Sequence, residues 1–190
     1  MLQSKSIGSA LEREIEALTE EPASGRVTAR TRVTLRPQLE CLIEDGGWTM
    51  TAGAPATTGG NEAGPDPDAF GRGALGSCLA MGYATLASRM GVEIEELMVE
   101  VLAEFDRRGE LGIADEVMPG YQTITYRVTV VSPAPTDVVQ LVLDTADRYN
   151  RYRDIFGRTI PIAREVHIHT HRSAAFMPAA RPVAHAQKKL

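Results

Sequence analysis

The stretch from Asp66 to Gly91 constrains this chain more than any other part of it. Asp66-Pro67 is a helix start, with Asp as N-cap and Pro at the first helical position, and Gly91 after Met90 is a stop. The predicted helix holds Gly71, Gly73 and Gly76 in its first half, followed at once by Cys78. Each helical glycine costs about 1 kcal/mol relative to alanine, so close backbone approach is the expected offset. With Ala74, Ala80 and Gly82 the glycines form a small-residue seam. Either that seam lets another element lie over Cys78 and build a small pocket, or Cys78 is a small buried hydrophobe of a central helix.

The rest of the chain supplies strands around that helix. Val27, Ala29, Thr31, Val33 and Leu35 alternate with Thr28, Arg30, Arg32 and Thr34, a strand pattern. After Pro37 the segment turns at Asp45-Gly46-Gly47, a hairpin signal. Residues 53–67, rich in Gly and Pro, form a long loop, ordered or flexible, and loops of that length are usually functional. Leu97 to Phe105 and Tyr121 to Ser132 read as strands, and about Thr136 to Phe156 as one helix. On that helix Val138, Leu141, Val142, Tyr149, Tyr152 and Phe156 form one stripe. Ile160 to His171 reads as a last strand. Upstream, residues 8–21 form a short helix with Ser9 as N-cap and Leu11, Ile15 and Leu18 on one face, which docks on the main domain or on a partner chain. The class is α+β with a mainly antiparallel sheet. Residues 1–25 are an N-terminal extension, 26–172 the domain, and 173–190 a loosely held tail.

Several function classes fall away. Lys5, Lys188 and Lys189 are the only lysines, so nothing between them can form a Schiff base or clamp a phosphate as the P-loop lysine does. A net charge of -5 argues against nucleic acid or an anionic membrane as partner. The longest uncharged runs, residues 46–61 and 73–88, fall short of the ~20 residues that span a bilayer. The N-terminus lacks the apolar core of a signal peptide, and the two cysteines read as free thiols, so a cytoplasmic protein is expected.

Three pieces occur in order: Gly59-Gly60-Asn61 with Gly64-Pro65 and Pro67, then Ala74-Leu75-Gly76-Ser77-Cys78-Leu79-Ala80-Met81, then Gly91 to Val101. Their order and spacing resemble the OsmC/Ohr family, over about residues 26–172. The resemblance implies an intertwined α+β homodimer in which antiparallel sheets wrap two central helices, with sites at the interface. It also implies thiol-dependent reduction of organic hydroperoxides in oxidative-stress defence, with Cys78 as the peroxidatic residue and no cofactor. Such a site needs a thiolate, so a thiol of ordinary pKa ~8.5 must be lowered by a nearby cation. The sulfenic acid formed then condenses with a second thiol, and an external dithiol or thiol resets the enzyme. Apolar walls would favour a small apolar hydroperoxide.

The family's second Cys lies in the second helix, and here Asn150 stands in its place, in Asp147-Arg148-Tyr149-Asn150-Arg151-Tyr152. An amide cannot form that disulfide. This leaves a one-cysteine peroxidase needing an external thiol, or a non-catalytic small-molecule binding protein with the same fold. Cys41 is either a substitute resolving thiol or simply core. The family's acidic partner corresponds to Asp68, ten residues before Cys78. That is about 15 Å of rise on one straight helix, so Asp68 acts from a partner chain or across a helix break, or it only favours its own helix start. In the family the activating Arg comes from the N-terminal strand region, so the resemblance implies Arg30, Arg32 or Arg36 here, Arg36 and Arg32 foremost, with Arg72 a weaker choice. Phe70, Tyr83 and Asn150 are candidate pocket residues.

Two further groupings have bland readings. His167, His169 and His171 share one strand face, but positions ~6.5–7 Å apart rarely converge on a metal, so a solvent-facing edge is expected and no metal is assigned. Arg148, Arg151, Arg153, Arg158 and Arg164, diluted by Asp147, Asp154 and Glu165, read as a solvated face or an anion-binding patch.

Overall fold

A computed structural model describes residues 5–168. The chain divides into two units, one ending at Ile160 and one beginning at Pro161. In the first, helix α1 (Lys5–Glu20) precedes a meander of β1 (Thr31–Arg36), β2 (Glu40–Asp45) and β3 (Trp48–Gly53). Helix α2 (Pro67–Met90) follows, then β4 (Glu96–Glu104), the single turn α3 (Arg107–Glu110), β5 (Thr123–Val131), α4 (Thr136–Arg148) and α5 (Arg151–Gly157). Both sheets are antiparallel: β1-β2-β3 and β4-β5.

Helix α2 forms as its ends demand. Asp66 Oδ1 accepts the Ala69 N–H at 3.1 Å, and Gly91 closes the helix at φ +68. Its buried residues, Leu75, Leu79, Tyr83 and Ala87, recur every fourth position and make one stripe. Leu75, Leu79 and Tyr83 pack against Val99 and Val101 of β4 and Ile124, Tyr126 and Val128 of β5. Ala87 continues into a second cluster with Val92, Ile94 and Val142 of α4. Each fully buried aliphatic of this size contributes about 1.5–3 kcal/mol, so the core sits where α2 lies across the β4-β5 sheet.

The long loop after β3 is held against that strand. Gly53 N–H donates to Pro65 O at 3.1 Å and Glu62 N–H to Ala54 O at 3.2 Å. The backbones approach so closely that a Cβ on Gly60 would lie 1.9 Å from Ala54 O, and one on Gly64 2.2 Å from Thr51 O. Only glycine fits either position.

Three expectations change. Helix α1 begins at Lys5, so Ser9 lies inside it rather than capping it. The expected single helix over 136–156 is two helices, because Asn150 leaves the helical path and its Oδ1 caps α5 through the Arg153 N–H at 2.9 Å. Leu141 and Tyr149, counted on the apolar stripe, are exposed. Of the expected last strand, residues 160–168 carry neither helix nor strand, and 169–171 lie outside the described residues with two of the three histidines.

Candidate functional site

Cys78 lies on the side of α2 away from the buried stripe, partly exposed, with Ala74 and Gly82 one turn before and after it. It lines a cavity of about 780 Å³ bounded by α1, α2 and the α4–α5 junction. Leu11 and Ile15 of α1, Met81 and Leu86 of α2 and Ala146 of α4 give it apolar walls. The N-terminal helix docks on its own chain through a close approach: Gly8 N–H donates to Ser88 Oγ at 3.2 Å, and a Cβ there would meet Ser88 O at 3.3 Å. An exposed ion pair, Arg89 Nε to Glu12 Oε1 at 2.7 Å, adds little to that contact.

Of the candidate catalytic and pocket residues Asp68, Arg32, Arg36, Phe70, Tyr83 and Asn150, only Asn150 shares this cavity with Cys78. Asn150 is 7% exposed, and its Nδ2 lies 3.7 Å from where a Cβ on Gly82 would stand. Tyr83 turns the other way. It is fully buried, and its hydroxyl donates to Asp147 Oδ1 at 2.6 Å while Tyr126 donates to Asp147 Oδ2 at 2.5 Å. Burial, and then the Asp147 carboxylate, pushes the Tyr83 phenol far above its ordinary value, and the same two causes raise Tyr126. Phe70 lines a separate cavity of about 700 Å³, between the start of α2 and Val33, Ile43 and Met50 of the meander.

Helix α2 is continuous from Pro67 to Met90, so no break brings Asp68 toward Cys78. Asp68 lines a different cavity with Phe105, Tyr121 and Phe156, and its backbone carbonyl accepts from the Tyr121 hydroxyl at 3.2 Å. Arg36 Nη1 donates to Glu40 Oε1 at 2.9 Å, which with the Asn61 amide holds the Glu40 carboxyl below its usual range. Arg32 is exposed on β1 beside it, and neither guanidinium lines the Cys78 cavity of its own chain. Cys41 sits in β2, opposite Leu35 and Ala52, also away from that cavity. The cations that do line it are Arg89 and Arg151, with Arg151 set in the sequence only within a diffuse basic run. Among the described residues no cluster of His, Cys, Asp and Glu is arranged to hold a metal, and no helix is long and apolar enough to cross a membrane.

The profile of a family described as OsmC-like protein matches residues 59–165. The chain belongs to that family. Solved structures share the OsmC-like fold at low identity. An OsmC-like protein from Mycoplasma pneumoniae superposes with a TM-score of 0.59 at 14% identity, covering 69% of this chain and 88% of that one. An OsmC-like protein of unknown function from Vibrio cholerae gives 0.56 at 14%, covering 68% and 94%. An organic hydroperoxide resistance protein OsmC from Legionella pneumophila gives 0.52 at 10%, covering 68% and 89%. No curated protein matches the sequence. The family profile takes in Cys78 and Asn150 but not α1, so one wall of the Cys78 cavity comes from a segment outside it.

Proposed function

We propose that this OsmC-like protein reduces organic hydroperoxides with thiols, in oxidative-stress defence, through Cys78. The observation that carries the reading is the partly exposed Cys78 thiol on a cavity with apolar walls and two arginines at its border. The thiolate attacks the terminal peroxide oxygen, the O–O bond breaks, and the alkoxide takes up a proton to leave as the alcohol, with sulfur left as sulfenic acid. Apolar walls receive the alkyl group, and cations favour the thiolate.

The working unit is a homodimer. Rows Leu35–Cys41–Ala52 and Val33–Ile43–Met50 place apolar side chains on one face of the meander. Val33 and Leu35 are 58% and 63% exposed, and that face looks onto α2 across the 700 Å³ gap. A second copy covering it would bury that apolar face, and since neither Arg32 nor Arg36 lines the cavity of its own chain, a guanidinium from β1 reaches Cys78 only from such a copy. A reduced free thiol suits the cytoplasm.

The test is peroxide consumption by purified protein with an organic hydroperoxide and a dithiol or monothiol. Cys78→Ser abolishes turnover and Cys41→Ser does not. Absence of turnover with every thiol, with slow alkylation of Cys78, would turn the reading into one of ligand binding only.

A further inference from the structure

We propose that the Cys78 cavity takes a small carboxylate-bearing thiol, held by Arg151 and Asn150, with which Cys78 exchanges through a mixed disulfide. This rests on the peroxidase reading and names its reductant. Three observations lead there. First, no second thiol of the chain lines the cavity, since Cys41 lies in β2, so a sulfenic acid on Cys78 has no resolving partner within its chain. Second, Asn150 is buried with both of its amide N–H donors unused among the described residues. Its Oδ1 takes the Arg153 N–H, while its Nδ2 donates to nothing among the described residues. That amide nitrogen lies over Gly82, one helical turn or about 6 Å along α2 from Cys78. A buried amide N–H without an acceptor is unfavourable, and a ligand oxygen in the cavity would satisfy it. Third, Arg151 lines the same cavity and its guanidinium makes no ion pair or hydrogen bond among the described residues, unlike that of Arg89, which Glu12 holds. It stands in the first turn of α5, where the helix dipole gives a cation no support.

Thiol, amide and guanidinium together match one ligand chemistry: a sulfur that reaches Cys78, an oxygen acceptor about one turn away, and a carboxylate for Arg151. A cavity of about 780 Å³ admits a molecule of tripeptide size. The steps balance. Cys78 sulfenic acid and the incoming thiol form a disulfide and release water. A second molecule of the same thiol attacks the outer sulfur, restores the Cys78 thiol and leaves as the symmetric disulfide.

Two measurements in the Cys41→Ser background separate this inference from the reading beneath it. In the first, Cys78 is oxidised with one equivalent of an organic hydroperoxide, the sulfenic acid is verified by dimedone adduction, and glutathione is compared with its diethyl ester by intact mass. In the second, which needs no peroxide, reduced Cys78 meets a dianionic aromatic disulfide or a neutral dipyridyl disulfide, each rate divided by that of the urea-unfolded protein. The expected result in both is a preference of about tenfold for the carboxylate-bearing reagent at low salt, shrinking as salt rises. Arg151→Gln brings it to near one. Asn150→Asp, which keeps the cap oxygen but removes the N–H donors and adds a like charge, also lowers it. A preference near one in the parent, or one that Arg151→Gln leaves intact, overturns the proposal. A preference in the second measurement with no sulfenic acid in the first supports the thiol site and overturns the peroxidase reading.

Discussion

Tyr83, five residues beyond Cys78 on the same helix, donates a 2.6 Å hydrogen bond to Asp147, and through that carboxylate α2 is tied to α4. Tyr126 takes the other oxygen, so β5 joins the same node. Tyr83→Phe keeps the ring volume and leaves Asp147 one donor short. The expected cost is about 1 kcal/mol, because Asp147 is only half-buried and keeps Tyr126. Urea unfolding of the variant and the parent measures it, and an unchanged midpoint would remove the node from any account of the core.

The same two phenols give a pH dependence with a definite sign. Both have pKa values raised by burial first and by Asp147 next. The folded state therefore favours the protonated phenols. Their contribution is complete below the ordinary phenol value of about 10 and is lost as pH rises above it. In an ultraviolet phenolate titration, Tyr83 and Tyr126 are expected to ionise only as the protein unfolds. Smooth early titration of every tyrosine would contradict this.

Much of this architecture is legible in the sequence because it depends on near neighbours. Asp66, Pro67 and Gly91 mark α2, alternation marks β4 and β5, and Gly46-Gly47 marks the β2–β3 turn, where Gly46 takes φ +54. Boundaries set by side chains reaching back to the backbone are harder to read. The apolar period from Val138 to Phe156 continues across Asn150, yet its carboxamide takes the Arg153 N–H and ends one helix to start another. A strand, in turn, exists only through a ladder to a neighbour, so the alternation after Ile160 does not by itself make one. The cavity depends on contacts between distant segments: Leu11 and Ile15 wall the space beside Cys78 only because α1 folds back on α2 through Gly8. No local pattern around Arg151 tells that it borders the same space.

The three glycines before Cys78 read as one close-approach seam in the sequence, and the structure divides them. A Cβ on Gly76 would meet Val101 Cγ2 at 3.3 Å, whereas one on Gly73 meets nothing within 4 Å. Gly73→Ala should gain up to about 1 kcal/mol from helix propensity alone. Gly76→Ala should gain nothing or lose, since a β-branched side chain on a paired strand has little room to give. Thermal unfolding of both variants distinguishes them. A loss at Gly73 instead would place a side chain of a second subunit against that open position.

Asn150→Cys puts a thiol into the cavity that already holds Cys78. The carboxamide reaches over Gly82, one turn along α2 from Cys78, so a shorter side chain at 150 still faces the right helix surface. The change removes the α5 cap, which costs about 1 kcal/mol. In return, a Cys78 sulfenic acid would meet a thiol in its own chain and lose water to form a disulfide. One equivalent of an organic hydroperoxide should then give a product lighter by two hydrogens and inert to dimedone. Turnover should shift from monothiols toward dithiols, because a disulfide within the chain is reduced most readily by a reagent that can close its own ring. If the variant instead keeps a dimedone-reactive Cys78, residues 78 and 150 do not approach closely enough to pair.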